Sequence, residues 1–279
     1  MTLAAPRRPR FAPPAVSPRS LARVARFDAV LLYRNRTALF TVFGLPVMFI
    51  AMLVPMRGQE IDGVDGALLQ GTGHLAFFLI FAVFMNLVNV FTARREDLTL
   101  KRLRGTALSD AEIRGGSVLT ATAAYAAQAL LLLVVLGAAF GGRFPADPLL
   151  LLVGLAGGVT VFALLAFAVS GLTPNAELAQ LTVLPIMFGC MAGGGVMFPL
   201  DALPDALAAA CRWLPLTPVV EITRTAYFGQ DFAGASEHAA VGFAGGWAAC
   251  LQSFAALAVW AALGAEAAKR WFRWEPRRG

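Results

Sequence analysis

Apolar runs long enough to cross a bilayer recur along the chain, and no other feature restricts its folding as much. Six are read from the sequence: Ala38 to Met56, Leu75 to Ala93, Val118 to Phe140, Leu149 to Leu172, Gln180 to Phe198 and Gly245 to Gly264. Each approaches or exceeds the roughly 20 residues that a helix needs to cover a ~30 Å hydrocarbon core. None alternates with the two-residue period of a barrel strand. Composition agrees, with 58% of the 279 residues hydrophobic and 14% charged at a mean hydropathy of +0.68; a soluble domain carries about 25% charged residues. The expected fold is all-α, a polytopic membrane protein with six transmembrane helices in one bundle.

The cations orient that bundle. Of the 23 Lys and Arg residues, all but Arg57, Arg143, Arg212 and Arg224 fall before the first run, between the second and third, or after the sixth. In a six-span topology those segments share one side, which the positive-inside rule makes cytoplasmic, so both termini are expected inside. Basicity of this kind reports topology and contact with anionic membrane lipids, not nucleic-acid binding. The cysteines, Cys190, Cys211 and Cys250, have no paired spacing, and they read as packing residues with no disulfide framework or metal site. The first apolar run starts too late, and without a small-residue cleavage site, for a removable signal peptide.

Residues 1–19, rich in Pro, Ala and Arg with no apolar period, are expected to form a disordered cytoplasmic head. From Ser20 to Arg36, Arg23, Arg26 and Arg34 share a helical face; Leu21, Val24, Leu31 and Leu32 lie broadly opposite, with Asp28 interrupting their arc. This is an interfacial helix on the inner leaflet, or a solvated extension of the first span. The first span carries Pro46 and a Met48, Met52, Met56 stripe. Such a stripe is flexible packing or a surface that repacks. Asn86 and Asn89 lie one turn apart in the second span, as interhelical glue or as substrate contacts. Gly154 with Gly158, and Gly189 with Gly193, permit close helix approach in the fourth and fifth spans. Asp147-Pro148 is a sharp helix start, and Pro185 with Gly193-Gly194-Gly195 should kink the fifth span near its outer end. Before the sixth span, Asp205 to Leu214 and Val219 to Phe228 are helical pieces bounded by Pro204, Pro215, Pro218 and Gly229. Each is about half a span long, so both should be re-entrant or interfacial on the outer side, with Glu221 and Arg224 pairing locally. Residues 271–279 form a tail in which Trp271, Trp274 and neighbouring cations are interfacial anchors.

Between the second and third spans lies RREDLTLKRLRGTALSDAEIR, from Arg94 to Arg114. Arg94 to Arg104 favours helix throughout, Gly105 should end it, and Ser109 with Glu112 forms a capping box for the next helix. A short helix, a break and a new helix suit insertion into a partner's groove. Enzyme motifs are missing: neither Lys101 nor Lys269 follows a glycine, so no Walker A exists; there is no HExxH, and His74 and His238 are assigned to outer loops. Gly234-Ala235-Ser236 lacks the glycine that would complete a nucleophile turn. The six runs also lack Asp, Glu, Lys and Arg, the groups that proton- and ion-driven pumps place in the membrane. Energy for transport should therefore arrive from outside the bundle, through the Arg94 to Arg114 segment. A non-transporting scaffold or sensor that recruits a cytoplasmic partner remains the alternative; the empty spans disfavour an intramembrane lipid-modifying enzyme.

Two motifs bring a family resemblance. Arg95-Glu96-Asp97-Leu98-Thr99-Leu100-Lys101-Arg102-Leu103-Arg104 is similar to the RE-x-GTLKRLR segment at the coupling helix of type-2 ABC transporter permeases. Gly194 to Pro204, then Leu214-Pro215-Leu216-Thr217-Pro218 and Arg224, resemble that family's SGVFFPLSSLP, LPLTP and R signature. The likeness runs from about Leu21 to Arg270, across a transmembrane domain of residues 20–270, and is closest to the drug-resistance branch resembling daunorubicin exporters. Leu98 stands where glycine is usual and Ala107 where proline is common, which affects the bend of the coupling segment. The resemblance implies a permease without its own nucleotide site, in the bacterial cytoplasmic membrane, paired with a second copy and with two cytoplasmic ABC ATPase subunits that hold ATP and Mg. It places Arg95, Glu96, Thr99, Lys101, Arg102 and Arg104 at the ATPase contact. It implies a substrate path among the first, second and fifth spans, with Asn86, Asn89, Met48, Met52, Met187 and Phe188 as candidates. Pro199, Pro204, Pro215, Pro218, Glu221 and Arg224 fall to the outer re-entrant region, and the substrate is expected to be a lipophilic molecule moved outward.

Overall fold

Proline, glycine and short polar side chains set where the helices start, bend and stop. The structure, a computed structural model, describes residues 16–275 apart from 62, 198–199, 201–202 and 234–238. Helix α1 covers Pro18–Arg34. The first span, Arg36–Met56, contains α2 (Arg36–Leu39), a π-helical segment (Phe40–Gly44), α3 (Leu45–Ala51) and a 3-10 turn (Val54–Met56). A minimal hairpin of β1 (Glu60–Ile61) and β2 (Val64–Asp65) leads to the second span, Gly66–Glu96, made of α4 (Gly66–Leu79), a π-helical segment (Ile80–Met85) and α5 (Asn86–Glu96). Next come α6 (Thr99–Arg104) and the third, fourth and fifth spans: α7 (Asp110–Phe140), α8 (Pro148–Leu172) and α9 (Ala176–Gly193). Short helices α10 (Asp205–Arg212), α11 (Thr217–Phe228) and α12 (Phe243–Ala249) precede the sixth span, α13 (Leu251–Trp271). Six helices are thus long and apolar enough to cross a membrane, and the chain is an all-α multi-pass membrane protein.

The second span is the hub, with 83% of its most apolar window buried against 17% for the first span and 22% for the fifth and sixth. It starts nine residues earlier than its apolar run, because Asp65 caps it at the Ala67 and Leu68 N–H groups. His74 is therefore not in an outer loop: it is fully buried within this span, stacked on Phe78 and edge-on to Phe49. His238 lies outside the described residues. The sixth span is also displaced from Gly245–Gly264, since its first turns form the separate α12 and its continuous helix runs to Trp271.

Pro46 is absorbed rather than broken upon. It has no N–H for the carbonyl four residues back, Val42, and the Gln128 amide of the third span donates to that carbonyl. Gly154 and Gly158 make room for α11 and the hub, since a Cβ there would overlap Ile222 and Leu79. That glycine face is consumed within the chain. Gly193 likewise faces Cys211 and Leu214, and the fifth span continues through Pro185 to end at Gly193, capped by Gly194, with Gly195 left-handed (φ +71). All three cysteines are buried and free.

Asp147 caps α8 at the Leu150 N–H and accepts from Trp247 Nε1 of α12, both at 2.9 Å. At this same end α11 is buried along most of its length. Glu221 accepts from Ser253 of the sixth span at 2.6 Å, and Arg224 donates to the Gly195 carbonyl at 2.8 Å. Pro204 is the N-cap of α10, Pro215 lies in the turn after it and Pro218 sits in the first turn of α11, whereas Pro199 lies outside the described residues. Residues 1–15 of the expected head and 276–279 of the tail also lie outside them.

Candidate functional site

At the opposite, basic end of the bundle the charged segment is helix, break, helix, but the first break comes earlier than glycine content alone places it. Leu98 has φ 60 and ψ 11, the only positive φ outside glycine among the described residues. An L side chain in that region is held against a cost of about 1–2 kcal/mol. The reward is α6, turned so that Leu100 is fully buried while Lys101, Arg102 and Arg104 stay exposed. Gly105 closes α6, and the Ser109–Glu112 capping box opens α7 as its spacing requires. Glu112 does a second job, accepting the Ser17 N–H at 2.9 Å where α1 begins.

Helix α1 is packed against protein along one face. Val24 fits over Gly116 of α7, where a Cβ would overlap it, and Thr120 donates to the Ala25 carbonyl at 2.9 Å. Asp28, which breaks the apolar arc in the sequence, points inward and is ion-paired with Arg94. Arg94 also donates to Ser117 at 3.0 Å, so one guanidinium joins α1, α5 and α7. Burying a pair this deeply is justified only when the surrounding hydrogen bonds are made.

The next two residues join two further helix ends. Arg95 is 3% exposed and donates to the Ser170 and Thr173 carbonyls at the C-terminus of α8. Glu96 accepts the Ala176 N–H at 2.9 Å, at the N-terminus of α9. A cation thus meets the negative end of one helix dipole and a carboxylate the positive end of the next. Of the residues expected at the partner contact, Arg95 is therefore turned into the bundle and Glu96 is engaged with the α8–α9 turn, while Thr99 is half-buried. No local pattern announces this, because both partners lie about 80 positions downstream.

The tail returns under the same segment. Glu275 is 3.2 Å from Lys101, Trp274 lies beneath the Arg104 guanidinium at 5.0 Å, and Phe272 packs edge-on against Phe91 and Phe167. Gly171 is required here, since a Cβ would overlap the Trp271 carbonyl.

A cavity of about 880 Å³ opens beside this assembly, between α1, the first span, α5 and the start of α9. Its walls are mostly apolar, with Asn86, Asn89, Gln180, Asp28 and Asp97 among the polar groups. Asn86 and Asn89 thus come together there. Met48, Met52 and Phe188 do not line it; they are each more than half exposed on the outer faces of the first and fifth spans, and Met187 packs against the core.

No functionally curated protein matches the chain. The family model described as ABC-2 family transporter protein matches residues 62–265, from the hairpin before the hub to the sixth span, including α6, the α8–α9 turn and the short helices α10 to α12. Covering well over half of the sequence, that match shows that the chain belongs to the ABC-2 transporter family, as the membrane permease subunit of an ABC transporter that works with a partner ABC ATPase.

Proposed function

We propose that this permease exports a lipophilic small molecule, drug or lipid-linked compound across the bacterial cytoplasmic membrane, driven by ATP hydrolysis in two copies of a separate ATPase. The observation that carries the reading is the exposed basic helix α6, set at the end of the most buried span and tied through Arg94, Arg95 and Glu96 to α1, the third span and the α8–α9 turn. Lys101 is 61% exposed at its side chain, and Lys101, Arg102 and Arg104 form the face offered to an acidic ATPase groove. The basic end is cytoplasmic, by the distribution of Lys and Arg. The first and fifth spans, poorly covered by their own chain, face a second copy in a homodimer, with Met48, Met52 and Phe188 on the surfaces so paired. ATP and Mg belong to the partner, and the permease contributes the path.

The experiment is co-purification in mild detergent with an ATPase assay on the complex. Reversal of the exposed charges, Lys101→Glu with Arg102→Glu, should leave the permease folded and reduce ATPase stimulation and transport at least tenfold. Full stimulation by the double variant would overturn the assignment of α6 as the coupling contact. Recovery of the intact permease with no ATPase would overturn the exporter reading itself.

A further inference from the structure

Five charged side chains border the cavity at the basic end, and they do not cancel. Asp28 is spent on Arg94, so that pair contributes no net charge. Arg34 and Arg36 remain against one exposed carboxylate, Asp97. Both arginines are exposed, and neither has an ion-pair partner among the described residues. Asn35 is extended (φ −93, ψ 98) at the corner between α1 and the first span, and the arginines on either side of it both border the cavity. The Asn35 side-chain oxygen is used by the Ala38 N–H, which leaves its amide N–H groups as donors, and the side chains of Asn89 and Gln180 add two more amides.

This cationic, donor-rich mouth opens onto an apolar interior. Val42 lies about 9 Å along the first span from Arg36, and Val90 and Phe81 continue the wall on the hub. Phe27 and Leu31 are 46% and 43% exposed, so the same wall reaches the outer surface of α1, and a molecule lying along that helix can enter sideways. At about 880 Å³ the space falls in the range of sites that hold drug-sized ligands. A cationic head would meet the excess positive charge, and a neutral one would leave both guanidiniums uncompensated. A phosphodiester carries the single negative charge that balances the mouth, and its oxygens match the paired N–H groups of a guanidinium.

We infer that the cavity is a binding site for a phosphate-headed lipid, its phosphodiester at Arg34 and Arg36 and its apolar body against Leu31, Val42 and Phe81. The site stands apart from the exporter reading, because it holds its ligand with no contribution from an ATPase.

Binding is therefore measured on the permease alone, in maltoside micelles without added phospholipid. Three dansyl-labelled alkyl probes of equal chain length, ending in a methyl phosphodiester, a hydroxyl or a trimethylammonium, are titrated, and empty micelles are subtracted. The phosphodiester should bind at least about tenfold more tightly than the hydroxyl probe, and the trimethylammonium most weakly. Arg34→Gln with Arg36→Gln should remove that preference and leave the hydroxyl probe within about twofold of its parent affinity. Arg19→Gln with Arg26→Gln takes two exposed charges from the same helix outside the cavity and should change none of the three. Thr41→Trp, which fills part of the cavity, should weaken the phosphodiester and hydroxyl probes together by at least about tenfold. Equal affinity of the phosphodiester and hydroxyl probes, an equal loss in the Arg19 and Arg26 variant, or unchanged binding by Thr41→Trp would overturn the site. Displacement of the phosphodiester probe by an equal concentration of inorganic phosphate would overturn the lipid as its occupant. None of these failures touches the exporter reading, which stands or falls on ATPase stimulation.

Discussion

Replacing Arg95 by methionine asks whether this side chain joins the second span to the fourth. The guanidinium is 3% exposed and holds the Ser170 and Thr173 carbonyls. Hydrogen bonds to a charged group contribute about 1.5–3 kcal/mol each, and a cation at a helix C-terminus adds about 0.3–1 kcal/mol. Methionine recovers part of that sum by filling the space and by removing a charge that is costly to bury. The expected net loss is about 2–4 kcal/mol. At about 2–4 °C per kcal/mol for chains of this size, the unfolding midpoint falls by about 5–15 °C. Arg95→Lys keeps the charge but not the fork that reaches two carbonyls, and should lose about half as much. Tryptophan fluorescence during heating in mild detergent measures both. The comparison is Lys101→Glu with Arg102→Glu, whose side chains are exposed and whose midpoint should stay within about 1 °C of the parent, as surface changes do. If Arg95→Met melts with the wild-type protein, the guanidinium is not buried between the spans and belongs on the partner surface after all.

Leu98→Gly should raise the midpoint by about 1–3 °C in the same assay, because release of the left-handed φ of 60 outweighs the entropy that glycine adds to the unfolded chain. Leu98→Val should lower it, since a β-branched residue tolerates that conformation least; the opposite order would remove the strain argument. Gly171→Val must push the Trp271 carbonyl away and should cost at least about 2 kcal/mol. Hydrogen exchange of residues 99–104 should accelerate in that variant as the tail carrying Trp274 and Glu275 loosens, and unchanged exchange would mean that the tail does not brace α6.

What could be read from the sequence was local or periodic. The apolar runs located the spans because desolvation acts on every residue of a run alike, and the Ser109–Glu112 and Asp147-Pro148 starts were legible because a cap involves neighbours only three positions apart. The close-approach faces at Gly154 and Gly158 were visible, but their partners were not, since Ile222 and Leu79 come from distant parts of the chain. His74 was misplaced because Gly66 to Gly73, with Gln70 and Thr72, dilutes the hydropathy of a stretch that is nonetheless buried by protein. Asp28 read as a defect in an amphipathic helix because its partner Arg94 stands 66 residues away. Arg95 looked like a surface residue for the same reason, and the helix ends that Arg95 and Glu96 hold are brought near only by the fold.

That arrangement also decides how a push at α6 travels. Exposed ion pairs such as Lys101–Glu275 yield easily, being individually worth about 0–1 kcal/mol. The buried contacts directly behind them do not: Asp28–Arg94 fixes α1 to the hub and Arg95 fixes the end of α8, while Glu96 holds the start of α9 through an exposed hydrogen bond. A displacement of α6 is therefore passed to these elements together, and the space they enclose is the cavity lined by Asp28, Asn86 and Gln180. The less restrained side of that cavity is the first span, of whose most apolar window 17% is buried and whose Val42 carbonyl, left without a donor by Pro46, is held by one amide from Gln128. Movement of the first span relative to the hub is thus the change that a force at the basic end meets with least resistance, and it alters the cavity between them.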